Sequence, residues 1–131
     1  MHPVFVYGTL MVEEIALAVL RRSVALTPAR LDDHFRGMID GQVYPGIAPQ
    51  EGSSVEGALM LGLSLHELRA LDEYEGDLYE RRPVRVRTDE QTMLAVTYVV
   101  CPQKQDRITR VPWDLSTFKR DHVRSFGVSW D

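Results

Sequence analysis

A chain of 131 residues, 44% hydrophobic, 26% charged and 8% aromatic, has the composition of an ordinary globular protein and length enough for a continuous core. Its formal net charge of −4 gives no basic footprint for nucleic acid, and no apolar run approaches the roughly 20 residues of a membrane-crossing helix. The lone cysteine, Cys101, excludes an intramolecular disulfide, and residues 1–131 are expected to form one cytoplasmic domain.

In chain order, Pro3 to Tyr7 is a short apolar run ended by Gly8, which predicts an interior strand rather than a leader segment. Val12 to Arg22 predicts a helix, with acids at its start and arginines at its end as the macrodipole favours. Leu31 to Ile39 and Gln42 to Ala48 read as extended segments around Gly41, the second broken by a turn at Pro45-Gly46. Glu51 to Ser54 reads as a turn. Val55 to Leu63 reads as a strand whose two glycines allow a close backbone approach.

Ser64-Leu65-His66-Glu67 has the capping-box form. The helix it opens carries Leu65, Leu68 and Leu71 and ends near Tyr74, with Gly76 placed to stop it. Tyr79 to Thr88 alternates like a strand, and Pro83 puts that strand at an edge or bulge. Thr92 to Pro102 reads as a more buried strand. A last helix starts at Asp114, with Leu115 and Phe118 facing inward. Helices are too few for a doubly wound parallel sheet. The expected class is α+β: a small mixed β-barrel with flanking helices.

The stretch LDEYEGDLYERR, Leu71 to Arg82, concentrates five carboxylates: Asp72, Glu73, Glu75, Asp77 and Glu80. Glu75 stands out at a helix C-terminus, where the macrodipole opposes negative charge, with acids on either side. Like charge and partial burial would both raise its pKa toward the range of a general base. Residue chemistry alone leaves two readings, a solvated acidic loop or one working carboxylate. Tyr79 either packs or donates a hydrogen bond to a ligand. Arg81 and Arg82 point to opposite faces of a strand, so one can meet the acidic loop.

A second constellation is Tyr7-Gly8-Thr9-Leu10-Met11, a turn from strand to helix whose backbone N–H groups suit an anion. A single glycine without a following lysine is no Walker-type loop. The histidines His2, His34, His66 and His122 never take a ligand spacing, so neither metal nor cofactor is expected. Cys101, following Val99 and Val100, reads as a buried small hydrophobe. Trp113 and Trp130 read as packing anchors.

VFVYGTLM near the N-terminus, YPGI in the middle and LDEYEGDLYERRPV together resemble the γ-glutamylcyclotransferase-like superfamily, nearest its AIG2-like branch. The resemblance spans about Pro3 to Cys101. It implies a mixed barrel in which Tyr7, Gly8, Thr9 and Leu10 hold the α-carboxylate of a small γ-glutamyl substrate. It further implies Glu75 as catalytic acid/base, with Tyr79 lining the pocket and 5-oxoproline as product; Pro45 and Gly46, read from the residues alone, form either a third wall of that pocket or an ordinary β-turn. The alternative reading is a non-catalytic module that binds a small anion in the same cavity.

Overall fold

The computed structural model describes residues 3–126; His2 and Trp130 therefore lie outside the described residues. β1 (Val4–Val6) runs into a 3-10 turn at Thr9–Met11 and helix α1 (Glu13–Leu20). Two long strands follow, β2 (Leu26–Met38) and β3 (Pro45–Met60), then α2 (Leu65–Glu75). β4 (Tyr79–Arg87), β5 (Thr92–Val100) and α3 (Leu115–Asp121) complete the order. The strands close a barrel in the order β1-β3-β2-β4-β5. Its one parallel contact, β1 with β5, makes the sheet mixed, as the sequence reading expected.

β1 is buried on both faces, which is why its sequence shows no polar alternation. Phe5 and Tyr7 join Leu31, Ile47, Val55, Leu59, Val86, Ala95 and Val99 in one cluster, contributed by every strand of the barrel. Val4 and Val6 point the opposite way, joining Ile15, Leu20, Leu71 and Phe118 from the helices. The period of two along a strand therefore sends alternate side chains into two cores.

Several local expectations are corrected. Pro45 and Gly46 are not a turn but the first residues of β3, paired with Met38 and Gly37. The chain reverses just before them, where the Ile39 N–H donates to the Tyr44 carbonyl. Glu51 to Ser54 does not end a strand. Residues 50–53 bulge from β3 opposite Asp33, and pairing passes from Asp32↔Ser54 to His34↔Pro49. Asp33, at φ 60°, accepts from the Gly52 N–H at 3.0 Å and closes the bulge. Cys101 is partly exposed rather than buried.

Gly57 shows why a glycine stands inside β3. A Cβ there would lie 2.3 Å from the Val6 carbonyl oxygen and 2.8 Å from the Phe5 ring. What approaches the backbone is the protein's own first strand. Gly57→Ala is expected to cost about 1–3 kcal/mol through overpacking, read as a lower urea midpoint. An unchanged midpoint would contradict this packing.

β4 pairs with β5 along its whole length but meets β2 only at Arg30↔Arg87. Pro83 thus sits on a strand whose other edge is mostly open, where a missing N–H costs no ladder bond.

Candidate functional site

The capping box is formed as read: the Ser64 hydroxyl accepts from the Glu67 N–H, and the Glu67 carboxylate accepts from the Ser64 N–H. Arg22, just past α1, adds hydrogen bonds of 2.7 and 3.1 Å to the same carboxylate. Together they hold Glu67 at a pKa of about 2, Arg22 being the larger cause. The start of α2 is thereby fixed against α1.

Along α2 the inward stripe runs Leu68, Leu71, Glu75, at the i+3 and i+4 steps of one helical face. Leu71 is fully buried, whereas Leu65 is 59% exposed and lies off the stripe. Glu75 occupies the next inward position, and Gly76 at φ 74° ends the helix directly behind it. The helix therefore delivers a carboxylate to a place where the pattern calls for an apolar side chain.

That place is a cavity of about 420 Å³. Glu75 shares its lining with Tyr7, Gly8, Thr9, Leu10, Pro45 and Tyr79, all named by the sequence reading. Gly46 is not in the lining; its Cα faces Val100 and Ile39, which leave no room for a Cβ. Gly8 is needed for a related reason. The Pro45 ring lies over it, 2.8 Å from where a Cβ would be.

Burial raises the Glu75 carboxyl to a pKa of about 8. The acidic neighbours proposed from the sequence are not the cause. Asp72 is paired with Arg81 at 2.8 Å and also accepts from the Tyr98 hydroxyl at 2.6 Å. Glu80 pairs with Arg82, while Glu73 and Asp77 are exposed. The two arginines do diverge, Arg81 to the helix and Arg82 to its own strand.

Sequence reasoning missed Phe5, Val6, Tyr44, Tyr74, Leu78, Tyr98 and Phe126 in the lining. All 5 tyrosines of the chain border this cavity. Tyr7 donates to the Tyr98 carbonyl at 2.6 Å, Tyr74 shares a 2.7 Å hydrogen bond with Thr9, and Tyr79 donates to the Pro45 carbonyl at 2.7 Å. Burial, with Glu75 adding to it, keeps the Tyr7, Tyr74 and Tyr79 phenols protonated. The unusual signal was the tyrosine spacing around Glu75, at Tyr74 and Tyr79.

In the turn after β1, the Met11 and Val12 amides bond back to Gly8 and Thr9, while the Thr9 and Leu10 amides find no partner among the described residues. The Tyr7 carbonyl is tied outward by Arg36 at 2.7 Å. No group of His, Cys, Asp and Glu arranged for a metal occurs among the described residues. No helix among them is long and apolar enough to cross a membrane.

The family model described as "Gamma-glutamyl cyclotransferase, AIG2-like" matches residues 4–115. AIG2-like protein D of Arabidopsis thaliana is 36% identical over 129 residues, covering 96% of this chain and 84% of that protein. A solution structure from Arabidopsis thaliana superposes with a TM-score of 0.76 at 31% identity, over 95% of this chain and 76% of that one. A solved gamma-glutamyl cyclotransferase superposes with a TM-score of 0.63 at 23% identity, over 79% and 73% of the two chains. That last likeness is one of fold. With its closed mixed barrel and flanking helices, the chain belongs to the AIG2-like gamma-glutamyl cyclotransferase family.

Proposed function

We propose that this protein is a cyclotransferase that releases 5-oxoproline from a small γ-glutamyl compound, with Glu75 as the proton carrier. The observation that carries the reading is Glu75 itself, a carboxyl raised to about 8 in the cavity that also holds the turn after β1. A pocket built only to bind an anion gains nothing from a second carboxylate in its wall.

In this reading the free amides of Thr9 and Leu10 receive the substrate α-carboxylate. Glu75 takes a proton from the α-ammonium, and the freed nitrogen attacks the side-chain carbonyl carbon. The new C–N bond closes a five-membered lactam, and the old amide C–N bond breaks. Two protons move overall from the α-nitrogen to the leaving nitrogen, and Glu75 carries them one at a time. Nucleophile and electrophile belong to one molecule, so the protein's part is orientation and proton transfer. The balance requires neither water nor a redox partner.

The test is 5-oxoproline release, by mass spectrometry, from γ-glutamyl amines, γ-glutamyl amino acids and glutathione. Release from at least one class is expected, and none from any would favour the anion-binding module. The pH profile is a second expectation. Below a pKa of about 8 the ionised fraction of Glu75 grows about tenfold per pH unit. Accordingly kcat/KM should climb through neutrality toward a limb near 8. A limb near the ordinary carboxylate range would contradict the burial of Glu75.

A further inference from the structure

We infer, resting on the cyclotransferase reading, that Arg36 is the positioning residue of the anion-receiving turn, setting its backbone and supplying its positive charge from behind the cavity wall. Arg36 is not part of the lining, and among the described lining residues none is Lys, Arg or His. A carboxylate held by the Thr9 and Leu10 amides therefore meets no cation inside the cavity. Its counter-charge has to come through the wall.

Arg36 stands on β2 opposite Ile47, and its side chain reaches the point where β1 parts from β3. The pairing of those two strands ends at Val6↔Ala58. Just beyond it, the Tyr7 and Glu56 carbonyls both accept from Arg36 Nη1, at 2.7 and 3.0 Å. One guanidinium nitrogen thus takes over from the ladder and fixes the peptide that leads into Gly8. A charged donor on the Tyr7 carbonyl also polarises that peptide, which makes the Gly8 N–H a stronger donor.

The guanidinium is held by an aromatic ring as well. Its Cζ lies 5.6 Å from the centroid of the buried Trp113 ring, whose own N–H donates to the Val43 carbonyl at 3.0 Å. What Arg36 lacks is an acid: it forms no salt bridge among the described residues, whereas Arg22, Arg81 and Arg82 each do. The Glu56 side chain is exposed, and Asp114 is occupied in capping α3, where it accepts from the Thr117 N–H at 2.9 Å. Burial lowers the Arg36 pKa, but a guanidinium stays charged at neutral pH. A half-buried cation surrounded by carbonyls and a ring favours an anion nearby.

The test separates charge from scaffold. γ-Glutamyl-ethylamide and its α-carboxamide counterpart differ only in the group offered to the turn, and wild type is expected to show the lower KM for the carboxylate. Arg36→Gln keeps a donor for the two carbonyls but no charge. It should narrow the ratio of the two KM values by at least about tenfold, with little change in kcat. Arg36→Lys restores the charge and should regain most of the preference. A residue that merely braced the fold would affect both compounds alike. An unchanged ratio in Arg36→Gln, a lysine variant no better than the glutamine one, or a wild type without the preference overturns the assignment.

Calorimetry in the Glu75→Gln background, with and without Arg36→Gln, reads the same ratio without turnover. If that binding pattern holds while no γ-glutamyl compound releases 5-oxoproline, only the cyclotransferase reading falls. If product forms with a ratio indifferent to Arg36, only the role of Arg36 falls. A further measurement does not depend on the folding of Arg36→Gln. In protein labelled with nitrogen-15 arginine, the Arg36 guanidinium resonance, assigned by its loss in Arg36→Lys, should move on adding γ-glutamyl-ethylamide and stay with the carboxamide. An equal response to the two compounds overturns the assignment.

Discussion

Glu75→Gln is expected to lower kcat for 5-oxoproline release by about 10²- to 10⁴-fold, the usual contribution of a positioned acid/base, with little change in KM. Glutamine keeps the size and polarity of the side chain but cannot exchange a proton. The Thr9 and Leu10 amides, proposed here to anchor the α-carboxylate, and the aromatic lining are untouched, so substrate should still bind. Glu73→Gln is the matched control, because Glu73 is an exposed member of the same acidic stretch and should stay at wild-type activity. A Glu75→Gln enzyme of undiminished rate would mean that another group moves the proton.

The same substitution is expected to make the protein more stable at neutral pH. A folded carboxyl pKa of about 8 lies above the 4.5 of the unfolded group. The unfolded chain therefore ionises first as pH rises. Stability tied to the neutral carboxyl is fully present below about 4.5 and is lost as pH climbs through about 8. At pH 7 the loss is about 2–3 kcal/mol, allowing for water that reaches the cavity.

Glu75→Gln mimics the protonated form and escapes this loss. Urea unfolding should show the variant and wild type alike at pH 4.5 and the variant clearly more stable at pH 7.5. Equal stability at both values would show that the folded protein compensates the charge. A functional carboxylate held at the expense of stability is a common trade at active sites.

The barrel was legible because its cues are local. The capping box at Ser64 and Glu67, the alternation of Tyr79 to Arg87 and the Asp114 N-cap depend on residues a few positions apart. The turn wrongly placed at Pro45-Gly46 shows the limit. Proline and glycine usually punctuate turns, but here Gly46 is chosen for packing, its Cα lying against Val100, far along the chain.

Glu75 was found for partly the wrong reason. Charge density, helix polarity and partial burial together suggested it, and of the three only burial raises its pKa. The spacing Leu68, Leu71, Glu75 held the better argument, since it continues an inward stripe. Tyr98 and Phe126 were missed because only folding brings β5 and the segment after α3 to the same wall.

Glu75 is proposed to be a carboxyl poised, by burial, to carry a proton near neutral pH. The most direct test is a carbon-13 NMR titration of side-chain-labelled glutamate, with the Glu75 resonance assigned by its loss in Glu75→Gln. A midpoint near 8 is predicted. A midpoint near 4.5, the ordinary value, would mean that Glu75 is solvated and not poised to carry a proton at neutral pH.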